Sequence, residues 1–148
     1  MSIIDEAFFH TRHGQASSDF PAGLVASHLF DAELELRNLT TDTEYDTVET
    51  IDAKNPEERT IDEDKKLNAF QRAEAELLMM VLIFKLNVKI GREGIVTSSY
   101  NKEFGEGNFK IATPAEIEKI QATYLDRARG LVKKYIPSPA FIIATTSD

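Results

Sequence analysis

Residues 72–87, RAEAELLMMVLIFKLN, decide the fold. From Leu77 to Phe84 the apolar residues cover every face of a helix, whereas an ordinary surface helix is apolar along one stripe only. A helix that is apolar all round is buried all round, either inside one chain or between subunits. The run is too short for a bilayer, because a spanning helix needs about 20 apolar residues. The stretch therefore predicts the central helix of a helical body.

The central helix is expected to begin near Asp62 or Asp64, because carboxylates there cap free backbone N–H groups and suit the positive end of the helix dipole. Apolar residues then recur at spacings of three and four along one side. The candidate core or subunit seam consists of Leu67, Phe70, Glu74, Leu77, Val81 and Phe84. A buried carboxylate needs a partner, and we expect Arg72, Arg127 or Arg129 to supply one for Glu74 at an interface.

Two further helices flank the central one. A first helix is expected after Asp19, because apolar residues recur there at helical spacing. That stripe consists of Val25, Leu29, Ala32, Leu36 and Leu39. The start of the last helix is predicted by Thr113-Pro114-Ala115-Glu116, in which Thr113 is a good N-cap and Glu116 can complete a capping box. Between the last two helices, IVTSSYNKEF (95–104) and NFKIAT (108–113) predict two short strands around a glycine turn.

The sequence thus predicts a mainly α fold, a small bundle of three main helices with a short β hairpin between the last two. Residues 1–18 sustain no period and are expected to form an extended N-terminal arm. The helical domain is expected over residues 19–136. Within it, residues 40–60 are rich in Asp, Glu and Thr and are interpreted as an acidic loop or insertion. Residues 137–148 are interpreted as an extended C-terminal tail.

The charge of the chain limits its partners. The formal net charge is -8, from 25 acidic and 17 basic residues among 148. Such a balance argues against tight non-specific DNA binding, which needs a basic footprint. It suits a surface past which DNA moves without being held, and it also suits acidic loops that only keep the protein soluble. No membrane partner is expected.

The sequence contains no recognisable catalytic constellation. The chain has no Cys, which removes disulfides, thiolate nucleophiles and cysteine metal sites. His10 and His13 are spaced i, i+3 and could meet at one metal, but a third ligand at a defined spacing is missing. Gly105-Glu106-Gly107 lacks the context of a phosphate-binding loop and is interpreted as a turn. We therefore expect a protein that is not an enzyme and has no cofactor.

The C-terminal segment is the remaining candidate for function. Two prolines hold the chain extended, and an apolar group follows them. These residues are Pro137, Pro139, Phe141, Ile142 and Ile143. Such a segment either folds back onto its own domain or adds to a sheet edge or groove of another protein.

The order of these elements resembles the head-to-tail connector adaptors of tailed bacteriophages, which are head-completion proteins located beneath the portal. The likeness is carried by AEAELLMMVLIFKLN (73–87), GREGIVTSSY (91–100) and IEKIQATYLDRARGLVKKYI (117–136). With the residues between these stretches, it covers about half of the chain. In that family a buried helix leads into a small β element, a second helix returns, and a C-terminal tail extends outward. The long acidic stretch after the first helix departs from the family pattern.

The resemblance implies a structural virion protein in the neck region, made in the host cytoplasm. It implies a homo-oligomeric ring, typically of twelve copies, that joins the portal protein to a tail or stopper protein and lines the DNA channel. The segment from Pro137 to Ile143 would be the portal-docking tail. An alternative from the residues themselves is a small acidic helical binding module or regulator of the DNA-mimic type. That module would use Asp42, Glu44, Asp46 and Glu49 to engage a basic partner.

Overall fold

The computed structural model describes residues 1–14, 20–88, 95–96 and 111–138, with backbone only for residues 84–88 and for the two short strands. The helices in these ranges are α1 (Glu6–His13), α2 (Leu24–Ser27), α3 (Leu29–Leu39), α4 (Asp42–Asp52), α5 (Ile61–Val88) and α6 (Pro114–Leu131). Short 3-10 turns follow α4 at Pro56–Glu58 and α6 at Lys133–Tyr135. The prediction of a mainly α fold is confirmed, although more helices than the predicted three main ones build the body.

The N-terminal residues form a docked helix, so the prediction of an extended arm is wrong over the described part of residues 1–18. Asp5 caps α1 by accepting a hydrogen bond from the Phe8 backbone N–H at 2.8 Å. Gly14 ends the helix in the left-handed conformation, with φ 64°. Phe9 is fully buried, and Ile3 and Ile4 before the helix are buried as well. A helix of eight residues is too short to show a sustained period, and it is held by tertiary burial.

The acidic stretch at residues 40–60 is mostly helical, so its interpretation as a loop is also wrong. Thr41 caps α4 by accepting a hydrogen bond from the Glu44 N–H at 3.1 Å. Tyr45, Val48 and Ile51 lie at helical spacing and are buried. The acids occupy the other faces of α4, so a low apolar content is enough for one buried stripe.

The central helix α5 is the axis of the bundle and packs against α1, α3, α4 and α6. Leu77, Leu78 and Met79, three consecutive residues, are all buried. Leu82 and Ile83 continue this burial near the end of the described side chains. Because the burial occurs within one chain, no second subunit is needed to cover the middle of this helix.

The first and last helices follow their sequence signals with one change. The chain breaks at His28, so the predicted first helix becomes the short α2 and the longer α3. Thr113 and Glu116 form the expected capping box at the start of α6, with hydrogen bonds of 3.2 and 2.9 Å.

Two short strands lie between α5 and α6. Ile95–Val96 (β1) and Ile111–Ala112 (β2) pair antiparallel, with Ile95 opposite Ala112 and Val96 opposite Ile111. Residues 97–110 between them lie outside the described residues. The predicted β hairpin is therefore not supported beyond these two residue pairs.

Candidate functional site

The predicted core or seam residues lie mainly inside the body. Leu67, Phe70, Glu74 and Leu77 are buried, and Val81 is half-buried. The backbone of Phe84 belongs to α5, but its side chain lies outside the described residues. The sequence left open whether these residues form the core of one chain or a seam between subunits. The buried members are already covered within one chain, which favours the core.

Glu74 is fully buried, and its partners are hydroxyl groups rather than the expected arginines. The Tyr45 hydroxyl donates to Glu74 Oε2 at 2.6 Å, and the Ser2 hydroxyl donates to Oε1. Burial outweighs the hydrogen bonds from these hydroxyls and from the Ile3 backbone, and the net effect raises the pKa of Glu74 from 4.5 to about 7. The prediction that Arg72, Arg127 or Arg129 pairs with Glu74 is wrong.

Residues 1–4 lie across α4 and α5 beside this carboxylate. The Ile3 backbone N–H donates to the Tyr45 hydroxyl oxygen at 3.2 Å, and the Gln71 side chain donates to the Ile3 carbonyl oxygen at 3.2 Å. Burial, together with the neighbouring Glu74 carboxylate, raises the pKa of Tyr45. The Tyr45 hydroxyl therefore stays protonated and acts as a fixed donor. This arrangement holds the N-terminal segment in place.

Arg37 on α3 forms ion pairs with three acidic residues of α4. Its guanidinium nitrogens lie 3.3 Å from Asp42 Oδ1, 2.8 Å from Asp46 Oδ1 and 3.2 Å from Glu49 Oε1. It also lies 3.1 Å from Glu33 Oε1 on its own helix. The hydrogen bonds to Asp46, Glu33 and Asp42 raise the pKa of Arg37 against the opposing effect of burial. The guanidinium is thus an electrostatic link between α3 and α4.

The histidine pair on α1 is part of the packing. His13 Nε2 lies 3.0 Å from the Ala75 carbonyl oxygen, and burial lowers the pKa of His13. The His10 ring packs against Phe9 and Phe20, with ring centroids 5.4 and 5.5 Å apart. Within residues 1–14, 20–88 and 113–138, no group of three or more His, Asp or Glu is arranged to hold a metal ion.

Two apolar side chains project from the outer side of α3. Phe30 is 62% exposed and Leu34 is 42% exposed. They are spaced i, i+4 and therefore lie side by side on the helix surface. Asp31 and Glu35 form the adjacent row. We call these four residues the α3 ridge. The sequence indicates this pair, because Phe30 and Leu34 are apolar residues that do not belong to the stripe predicted to be buried.

An open groove lies on another side of the body, between the first half of α5 and the end of α6. Its volume is about 490 Å³. It is lined by Ile61, Asp64, Lys65, Asn68, Ala69, Arg72 and Leu131, and we call it the α5–α6 groove. Ile61 is 75% exposed, which is the highest value for an Ile, Leu or Phe side chain among the described residues.

The last described residues, 136–138, follow the 3-10 turn at Lys133–Tyr135. Pro137 and Ser138 are exposed. Pro139, Phe141, Ile142 and Ile143, the rest of the predicted portal-docking tail, lie outside the described residues. Their role therefore stays a prediction.

Comparison with known proteins gives no relative. No protein-family model, no curated protein and no solved structure matches this chain. None of the described helices has the length and apolar character needed to cross a membrane. The resemblance to connector adaptors thus remains a prediction that rests on the pattern of sequence elements.

Proposed function

We propose that the chain is a structural adaptor subunit that works by assembly, and that it joins the portal of a virion head to the tail as connector adaptors do. The observation that carries the proposal is the exposure of the neighbouring pair Phe30 and Leu34, on a chain that at least partly buries its other large apolar side chains apart from Met1 and Ile61 among the described residues. Apolar side chains that lie side by side at the surface suit a site of protein contact. The proposed homo-oligomeric ring would use such contacts.

The C-terminal segment supplies a second element of the proposal. Pro137 and Ser138, the last described residues, are exposed. Phe141, Ile142 and Ile143 follow within five residues of Ser138, and such an apolar segment suits a groove or sheet edge of a partner. We propose that this C-terminal segment docks on the portal protein. The helical body would contact the tail or stopper protein of the virion. The net charge of -8 suits a channel through which DNA passes without being held.

The alternative of an acidic, DNA-mimic module has less support. Its acids would have to be available to a basic partner. Asp42, Asp46 and Glu49 are already paired with Arg37, and Glu44 is paired with Lys66. Arg37 and Lys66 therefore neutralise part of the negative charge that such a module would present to a basic partner.

The test of the proposed function combines light scattering with deletion of the tail. The full chain and a variant lacking residues 137–148 would each be mixed with the portal protein of the same virus. We expect the full chain to form a complex of high mass and the deletion variant to lose portal binding. The proposal would be contradicted if the full chain stays monomeric and forms no complex with the portal protein. A matched control replaces Thr145, Thr146 and Ser147 by Ala, because this leaves the apolar group intact and should preserve binding.

A further inference from the structure

We infer that the α3 ridge of one copy docks into the α5–α6 groove of the next copy, so that this chain assembles head to tail. The inference deepens the proposed function by naming the two surfaces through which subunits would meet. It rests on three features of the described residues: two exposed apolar surfaces, their opposite charges, and the fact that the two surfaces share no residue.

The two surfaces match in apolar character. The ridge offers Phe30 and Leu34 as a projecting pair, and the groove offers Ile61, Ala69 and Leu131 as its apolar lining. An aromatic side chain that enters an apolar pocket is the usual energetic centre of a protein interface. A groove of about 490 Å³ lies within the size range of ordinary binding clefts.

The charges beside the two surfaces are complementary. Glu35 on the ridge is exposed, and Lys65 and Arg72 line the groove. In the part of the chain that the structure describes, none of these three side chains takes part in an ion pair. Asp64, the acid of the groove, lies 4.0 Å from Arg59 of its own chain. Docking would therefore bring an available carboxylate to available cations, and such complementarity fixes the register of an interface.

A second groove does not offer this match. It lies between α4 and α5 near Tyr135, and its cations are already paired. Lys54 Nζ lies 2.6 Å from Glu63 Oε1, and Lys66 is paired with Glu44. An acidic ridge would find no available positive charge there, so this groove provides a matched control site.

The positions of the two surfaces determine the type of assembly. Arg72 faces the α5–α6 groove, whereas Glu74 faces Tyr45 of α4 and Ser2. Two residues along a helix correspond to a rotation of about 200°, so these two side chains point to nearly opposite sides of α5. Glu33 of α3 and Glu49 of α4 share the Met1 ammonium, which places α3 beside α4. The ridge and the groove have no residue in common, so their contact is heterologous and either closes into a ring or continues as a filament.

Disulfide trapping tests the inference directly, because the chain has no Cys of its own. Asn38→Cys protein and Asn68→Cys protein would be mixed under mild oxidation, because Asn38 follows Leu34 by one helical turn, Asn68 lines the groove, and neither carries a charge of the contact. We expect a covalent heterodimer at several times the yield given by the control mixture of Asn38→Cys with Thr50→Cys, which places the second thiol at the other groove. A yield no higher than that of the control would overturn the inference. All three positions are exposed, so folding should be unaffected and is checked by circular dichroism.

Complementation gives a second, independent readout. Phe30→Asp removes the ridge and Ile61→Asp damages the groove, so neither variant should assemble alone. A mixture of the two retains one intact ridge and one intact groove and is expected to form a one-to-one dimer by light scattering. Phe30→Ala should weaken self-association by about tenfold or more, as truncating an interface anchor does. Full assembly of either Asp variant alone would contradict the inference.

These outcomes separate the inference from the proposed function. If wild-type protein forms a ring but the ridge and groove variants assemble normally, the head-to-tail contact is wrong and the adaptor proposal stands. If the trapped contact forms but the portal protein is not bound, the contact stands and the adaptor proposal fails.

Discussion

The hydroxyl of Tyr45 lies 2.6 Å from a carboxylate oxygen of Glu74, and both side chains are fully buried. The second carboxylate oxygen accepts from Ser2, so the two hydroxyls join α4, α5 and the N-terminal segment at one point. Within the described residues no ion pair includes Glu74, and its hydrogen-bonding partners, two hydroxyls and the Ile3 backbone, are neutral. This arrangement makes the stability of the fold depend on pH.

Replacing Glu74 by Gln should remove the part of the pH dependence of the free energy of unfolding that comes from the titration of Glu74. In the folded state the pKa of Glu74 is about 7, against 4.5 for an ordinary Glu. Between these two values the folded state holds a proton that the unfolded state has released. The stability from this group is therefore complete below pH 4.5 and is lost as pH rises through about 7. The loss amounts to at most about 3 kcal/mol.

Urea unfolding at several pH values would measure this effect for the wild type and the Glu74→Gln variant. Gln keeps an acceptor for the Tyr45 hydroxyl, so we expect the two proteins to have similar free energies of unfolding near pH 4.5. At pH values above about 7 the Gln variant should have the larger free energy of unfolding. The lowered pKa of His13 has the opposite sign, because its stabilising effect is lost as pH falls, but it is common to both proteins and cancels in the difference. A constant difference at all pH values would contradict the assignment.

Replacing Tyr45 by Phe should destabilise the fold. The change removes the Tyr45 hydroxyl oxygen as an acceptor for the Ile3 N–H and removes a donor to Glu74. Loss of a buried hydroxyl with such partners costs about 1–3 kcal/mol. The cost should be greater at pH 8 than at pH 5, because the lost bond is stronger to a carboxylate than to a neutral carboxyl. Tyr135→Phe is the matched control, since Tyr135 is half-buried and contacts Phe70 and Lys66 through its ring.

Local signals in the sequence predicted a good part of this fold. The capping box of Thr113 and Glu116 involves residues three positions apart, so the sequence itself shows both partners. The all-round apolar stretch of α5 likewise required no knowledge of the fold. Both predictions depend on the chain only within a few helical turns, and both are confirmed.

Other features depend on contacts between distant residues and could not be predicted in this way. Tyr45 and Glu74 lie 29 positions apart, and nothing local indicates that a tyrosine rather than an arginine would meet the carboxylate. The helix α1 depends on burial of Phe9 against the body, and α4 looked like a loop because its acids are balanced by Arg37 from another helix. The exposed pair Phe30 and Leu34 was visible in the sequence, but its exposure was not.

Replacing Arg37 by Met should weaken the contact between α3 and α4. The side chain of Arg37 is 17% exposed and contacts three acids of α4. Met keeps much of the volume but leaves these carboxylates to repel one another. We expect a loss of about 2 kcal/mol at neutral pH, because hydrogen bonds between charged groups are each worth more than neutral ones.

Thermal unfolding at low and high salt would measure the effect of Arg37→Met. Added salt should narrow the gap to the wild type by screening the repulsion. Arg129→Met is the control, because Arg129 is 55% exposed and its pair with Asp126 is 3.8 Å long. An exposed pair of this kind contributes about 0–1 kcal/mol. Equal losses in the two variants would refute the role of Arg37 as a link between helices.

Replacing Phe9 by Ala tests whether α1 belongs to the folded body. Phe9 is fully buried, and its ring packs against Phe20 and His13 with centroid distances of 5.6 and 4.9 Å. A buried Phe replaced by Ala costs about 3–5 kcal/mol, because apolar contact is lost and a cavity remains. Phe30→Ala serves as the control and should change the stability of dilute monomer by about 0.5 kcal/mol or less. If residues 1–14 were a detached arm, Phe9→Ala would unfold at the same denaturant concentration as the wild type. A large loss of stability, together with an unchanged helical spectrum below the transition, would instead show that the N-terminal helix is part of the cooperative core.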